Sequence, residues 1–291
     1  MRAVLLLAFG MSVAQPSAPR ARIITAGELA RLLGTVSVLD AREAFPKGHV
    51  PGAQPMDWRD FTLEKPGLVN LIAGEPARWG KVPPADDALR DRLRALGLSN
   101  GRTIVVVGDP DGWGEEGRIA WNLLYWGAGD VALMDGGFPA WKAAGGAVEK
   151  GAPRAVPPGN FTLRLRPERR ADLDAVRLAL RNRRPPLLDA RTAKEFAGER
   201  MKGQKRGGHL PGARLVPYRS LYRPDGRYVS ADELARLAGL GDRKEAISYC
   251  TGGVRSALLA VLLEARLGVA AADYDGSLWE WSAHEELPLE E

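Results

Sequence analysis

Apolar residues arrive along the chain in short runs and helical stripes, in an order that occurs twice. Leu29, Leu32 and Leu33 form a stripe behind Thr25-Ala26-Gly27-Glu28, whose Thr and Glu stand at capping-box spacing, so a short amphipathic helix is predicted there. Val36-Ser37-Val38-Leu39 then reads as a buried strand running into the charged turn Asp40-Ala41-Arg42, and Gly48-His49-Val50-Pro51-Gly52-Ala53 as a tight loop. Leu89, Leu93 and Leu96 share a helical face that Gly97 stops. Thr103 to Val107 is the strongest strand signal, four of its five residues being Ile or Val. A helix from Arg118 to Trp126 and a strand from Val131 to Met134 follow, ahead of Asp135-Gly136-Gly137.

Beyond a Gly- and Pro-rich stretch at 150–160, which reads as a stiff linker, the same signals return in the same order. Leu187-Leu188-Asp189-Ala190-Arg191 matches Val38-Leu39-Asp40-Ala41-Arg42, and Gly208-His209-Leu210-Pro211-Gly212-Ala213 matches the first tight loop. Ser230-Ala231-Asp232-Glu233 caps a helix carrying Leu234 and Leu237. Ala246 to Cys250 aligns with Val105 to Asp109, and Tyr274-Asp275-Gly276 through Trp281 with Met134-Asp135-Gly136 through Trp141. An internal duplication of an α/β unit accounts for this order, with domains at 21–149 and 161–291. Strands alternating with helices predict a mostly parallel sheet flanked by helices in each half, with ligands gathering at the carboxyl ends of the strands.

Charge changes this picture little. The net +5 is spread over the chain, which suits anionic substrates, and no Lys/Arg block is long enough to form a nucleic-acid arm. Met1-Arg2, the apolar run Ala3 to Phe9, and the small residues Ser12 and Ala14 have the pattern of a signal peptide, residues 1–14, too short to span a bilayer. A periplasmic or secreted protein is therefore expected, with a cytoplasmic one as the alternative. The chain has one cysteine, so export brings no internal disulfide.

That cysteine carries the candidate chemistry. In Ser248-Tyr249-Cys250-Thr251-Gly252-Gly253-Val254-Arg255-Ser256, an apolar run enters and an apolar-periodic stretch to Leu267 leaves, placing Cys250 on a strand-to-helix turn. Amides of the turn, the positive end of the helix and Arg255 can all stabilise a thiolate there. Such a thiolate would attack the outer sulfur of a donor such as thiosulfate and hold it as a persulfide, bonded by the amides of Thr251, Gly252, Gly253 and Val254. Cyanide or a thiol would then remove that sulfur, with neither metal nor organic cofactor required. Arg255 is expected either to face substrate or to anchor the loop on carbonyls and a carboxylate such as Asp189. Arg191 divides the same way, and its counterpart Arg42 in the half without a thiol favours structural pairing. Arg206, with Lys205, lies in an insertion absent from the first half, 202–207, which either carries charge over the pocket or is a solvated loop. His49 and His209 sit in matched turns, where structural hydrogen bonding is the better expectation. Trp141 and Trp281, also matched, are expected in packing.

These motifs together resemble a tandem-domain rhodanese, a sulfurtransferase of the thiosulfate or 3-mercaptopyruvate type. The resemblance rests on two Asp-Ala-Arg turns, two Gly-His-(Val/Leu)-Pro-Gly-Ala motifs and one cysteine in the second half opening a loop that ends Gly-Val-Arg-Ser, and covers nearly the whole chain past the leader. It implies an inactive first half, in agreement with Asp109 at the cysteine's aligned position. It also implies an extensive contact between halves, hence a monomer, and small-molecule sulfur donors and acceptors, with a thioredoxin-like reductant a candidate partner. Mercaptopyruvate enzymes of this family tend to place an arginine shortly after the second Asp-x-Arg turn; the nearest residue here is Glu195, which favours thiosulfate. Cysteine phosphatases and arsenate reductases are disfavoured, because they space cysteine and arginine by five residues whereas four separate Cys250 from Arg255. A rhodanese-like module that only binds or senses is the remaining alternative, and the retained Cys250, glycines and Arg255 weigh against it.

Overall fold

The computed structural model describes residues 20–63 and 80–291, so the leader at 1–14 lies outside the described residues. In the first half, strands β1 (Arg20–Ile24), β2 (Ser37–Asp40), β3 (Gln54–Pro55), β4 (Ile104–Val107) and β5 (Asp130–Met134) form one sheet in the order β1-β5-β4-β2-β3. In the second, β6 (Arg170–Ala171), β7 (Leu187–Asp189), β8 (Arg214–Leu215), β9 (Glu245–Tyr249) and β10 (Ala270–Tyr274) repeat that order as β6-β10-β9-β7-β8. The strands of each sheet pair parallel throughout. The first half carries helices α1 (Ala26–Leu32), α2 (Asp87–Ala95), α3 (Glu115–Tyr125) and α4 (Gly137–Ala143). The second carries α5 (Leu173–Asn182), α6 (Ala193–Phe196), α7 (Ala231–Ala238), α8 (Arg255–Leu267) and α9 (Ser277–Trp281). The capping boxes read from the sequence at Thr25–Glu28 and Ser230–Glu233 are formed, and a third closes at Thr192–Glu195.

Register corrects one alignment. Asp40 pairs with Val107 and Asp189 with Tyr249, so the residue after the strand is Gly108 in one half and Cys250 in the other. The next contacts agree: the amide of Phe138 donates to the carbonyl of Gly108 (2.9 Å), and that of Leu278 to the carbonyl of Cys250 (3.2 Å). Gly108, not Asp109, stands at the cysteine position. The slip arises because the first loop reaches its helix two residues later, at Glu115 rather than at the equivalent of Arg255. The domain boundary also moves. Gly159, Phe161, Arg164 and Arg166 donate their amides to carbonyls of the first half, so the second unit begins at β6 rather than at 161.

Helices α3 and α8 form the seam between the halves. Gly114 and Gly117 lie against Leu258, and a Cβ at Gly117 would overlap that residue's backbone. This close approach lets Ile119, Leu123 and Leu124 share one apolar cluster with Leu258, Leu259 and Leu262, and α8 is buried from Arg255 through Leu263. Burial on every side explains why α8 reads as a weakly periodic apolar stretch rather than as an amphipathic stripe. Among the described residues no helix is long and apolar enough to cross a membrane.

Candidate active site

Cys250 follows β9 directly and is 1% exposed. Its amide donates to Ser277 Oγ (3.0 Å), and that hydroxyl donates onward to the carbonyl of Tyr274 (2.7 Å), which fixes the start of the loop on β10. The two loop glycines are both required. Gly253 has φ +76°, and a Cβ there would come within 2.7 Å of the carbonyl of Asp275 and 2.8 Å of the Arg118 guanidinium. A Cβ on Gly252 would enter the Trp279 ring.

The thiol pKa is lowered from its ordinary value. Burial alone pushes it up, but the charge of Arg255, the hydroxyl and amide of Ser256 and the amide of Gly252 together favour the thiolate. The Ser256 hydroxyl donates to Sγ at 3.4 Å. The expected amide basket is thus made in part: Gly252 contributes an amide, Ser256 adds a second, and Thr251 acts through its side chain. Val254 is the N-cap of α8.

Arg255 is the loop anchor, and its carboxylate is Glu195 rather than Asp189. Nη1 donates to Glu195 Oε2 and Nη2 to Oε1, both at 2.7 Å, while Nη2 also donates to Thr251 Oγ1 (2.6 Å) and that hydroxyl to Glu195 Oε1 (2.9 Å). The pair is buried. Burial would raise the Glu195 pKa, yet Arg255 and the Thr192 cap hold it at about 2. Asp189 is already taken. Arg191, fully buried, donates to both its carboxylate oxygens (2.7–3.0 Å) and to the carbonyl of Gly208 (2.9 Å). Arg42 does the same with Asp40 and Gly48 in the half without a thiol, so Arg191 braces a turn through Nε and Nη2.

Arg206 is likewise removed from the pocket: its guanidinium donates to the carbonyls of Ser282, Leu287 and His284. It closes the chain end onto the insertion. His49 and His209 sit as their matched turns predict, each Nδ1 on a carbonyl (Phe45, 3.1 Å; Phe196, 3.0 Å) and each ring stacked on that phenylalanine. Trp141 and Trp281 are both buried, their indole N–H groups on carbonyls. Sequence reasoning missed the aromatic wall. Trp113 of the first half, 47% exposed, stacks with Tyr218 (6.1 Å between centroids), and the two rings lie 5.2 and 5.3 Å from the Arg255 guanidinium. Glu195 did leave a signal, since Thr192-Ala193-Lys194-Glu195 repeats the capping-box spacing of Thr25 to Glu28.

In the half without a thiol the equivalent space is filled. A Cβ on Gly108 would overlap the carboxyl of Glu116, whose Oε1 accepts from Tyr222 (2.7 Å) and Tyr228 (2.9 Å) of the other half. Its Oε2 is buried without a partner, and burial raises the pKa to about 7. A carboxyl with a raised folded-state pKa keeps its proton in the folded chain while the unfolded chain loses it, so stability falls as pH rises from about 4.5 to 7. That window is worth up to about 3 kcal/mol. Urea unfolding at pH 5 and pH 8 is expected to show the parent losing more stability across this interval than Glu116→Gln; equal losses would contradict the assignment.

Comparison with known proteins follows this geometry. The pattern that defines the rhodanese-like domain matches residues 25–144 and again 172–284. The chain is 32% identical over 273 residues to the sulfur carrier protein TtuD of Thermus thermophilus, covering 87% of this chain and 90% of that one. It is 29% identical over 286 residues to the thiosulfate sulfurtransferase of Corynebacterium glutamicum, covering 92% and 90%. Among solved structures it is similar to the 3-mercaptopyruvate sulfurtransferase of Leishmania major, with TM-score 0.76, 26% identity, and coverage of 94% of this chain and 78% of that one.

Proposed function

The chain belongs to the rhodanese family of sulfurtransferases, and from that premise we propose that it moves the outer sulfur of thiosulfate to a thiophilic acceptor through a persulfide on Cys250. The observation that carries this reading is a lone thiol, lowered in pKa, set between Arg255 and the Ser256 hydroxyl at the carboxyl end of a central strand. The Cys250 thiolate attacks the outer sulfur of thiosulfate; the S–S bond of the donor breaks and sulfite leaves with the electron pair. The resulting Cys250 persulfide anion keeps the negative charge beside Arg255. Cyanide, or a thiolate such as that of a thioredoxin-like reductant, then takes the terminal sulfur and returns Cys250 as thiolate. The two half-reactions share one covalent intermediate, so kinetics are ping-pong.

Glu195 supports thiosulfate over 3-mercaptopyruvate as donor. At the position where an arginine would hold a substrate carboxylate, this chain has a carboxylate already paired with Arg255. The named relatives include enzymes of both kinds, so the donor is decided by kinetics. With cyanide as acceptor, kcat/KM is expected to favour thiosulfate by at least about tenfold; a preference for 3-mercaptopyruvate would reverse the assignment. Export of the chain, supported by the pattern of residues 1–14, belongs to the same proposal, as does a monomer closed along the α3–α8 seam.

A further inference from the structure

A buried cation of the half without a thiol reaches the cysteine loop. Arg118, in the first turn of α3, is fully buried, and its Nη1 donates to the carbonyl of Gly253 (3.0 Å) while Nη2 donates to the carbonyl of Gly80. Its Nη1 also lies 3.6 Å from Asp273 Oδ2 on β10, a buried carboxyl that the Ser256 hydroxyl also meets. We propose that Arg118 is a positioning residue for sulfur transfer, through which the half without a nucleophile sets the orientation of the Cys250 loop.

In a trans peptide the carbonyl and the following N–H point to opposite sides, so holding the Gly253 oxygen on Arg118 turns the Val254 N–H away from Arg118. A freed Gly253 carbonyl could swing toward Sγ and set a partial negative charge against the thiolate. Gly253 is the loop residue with positive φ and no Cβ, hence the one most easily rotated if its anchor is lost. Burial raises the Asp273 pKa well above the ordinary carboxylate value, and the Arg118 charge opposes that rise. Only a planar fork can serve the two carbonyls of Gly253 and Gly80 together.

The proposal rests on the persulfide reading for its kinetic arm, while its titration arm needs no donor. Arg118→Lys keeps the positive charge and so separates a loop effect from a lost charge; the full-length double variant Arg118→Met/Asp273→Asn removes the fork together with its carboxyl neighbour. Its pH midpoint for alkylation of Cys250 by iodoacetamide is expected to rise by about one unit. Its kcat with thiosulfate and cyanide is expected to fall at least about tenfold with KM nearly unchanged. Arg118→Lys keeps the charge beside Asp273 but not the fork; it is expected to show smaller changes in the same directions, and it carries the test if the double variant does not fold. A folded variant with the parental midpoint, or with the parental kcat, overturns the proposal. Should the parent form no persulfide at all, the functional reading fails while the alkylation midpoint still decides the role of Arg118.

Discussion

Glu195→Ala is expected to lower kcat by about 100-fold, the scale of loss that follows from misplacing a reacting group by an ångström. The substitution removes both carboxylate acceptors of the Arg255 fork and the acceptor of the Thr251 hydroxyl, so the loop loses its lateral brace on α6. It also leaves a buried guanidinium without its counter-charge, which costs about 3–5 kcal/mol of stability. Glu195→Gln separates the two effects. It keeps the shape of the fork and an acceptor oxygen, so its kcat is expected to stay within about tenfold of the parent while stability still falls. Parental kcat in Glu195→Ala would show that Arg255 holds its place without the carboxylate. The pH dependence has a definite sign. Because the folded-state pKa of Glu195 is depressed to about 2, its contribution to stability is complete above the ordinary carboxylate range and is lost as pH falls from about 4.5 toward 2.

Cys250→Ala is expected to abolish turnover with every donor, and thiosulfate is expected to leave a one-sulfur mass adduct on the parent and none on the variant. The chain has no second cysteine to take over. The hydroxyl on the sulfur, Ser256 Oγ, also meets the Asp273 carboxyl, but an oxygen is a poor acceptor of a sulfane sulfur and does not replace the thiolate. A side chain at Gly108 would meet the Glu116 carboxyl, so the half without a thiol has no room for one unless that carboxyl moves. An adduct of the same mass on Cys250→Ala would mean that the sulfur is held elsewhere.

The duplicated order of strands and helices was legible because each half writes it in strong local signals: the Ile/Val run of β4, the Asp-Ala-Arg turns and the Gly-His-x-Pro-Gly-Ala loops. The cysteine loop was legible for the same reason, being contiguous. What the sequence could not disclose is long-range pairing. Glu195 and Arg255 are separated by 60 residues, and Arg118 lies 135 residues from Gly253; nothing local distinguishes these partners from solvated charges. Asp189 was the natural carboxylate for Arg255 until the structure showed it spent on Arg191. Gly108 and Asp109 were exchanged because strand residues fix register only against a neighbouring strand, and the two loops differ in length. The insertion 202–207 leaves both readings open in sequence, charge over a pocket or a solvated loop, because a sequence shows Arg206 as a cation and not the three carbonyls that surround it.

The central claim is that the fold holds a buried sulfur as its anion. The rate of Cys250 alkylation by iodoacetamide, followed from pH 5 to 10 on the full-length protein by intact mass, measures this directly, with the urea-unfolded chain as reference. A midpoint clearly below that of the unfolded chain is the result expected from Arg255, Ser256 and the Gly252 amide acting together. A midpoint equal to or above the unfolded one would mean that burial prevails over those three, and the account would be contradicted.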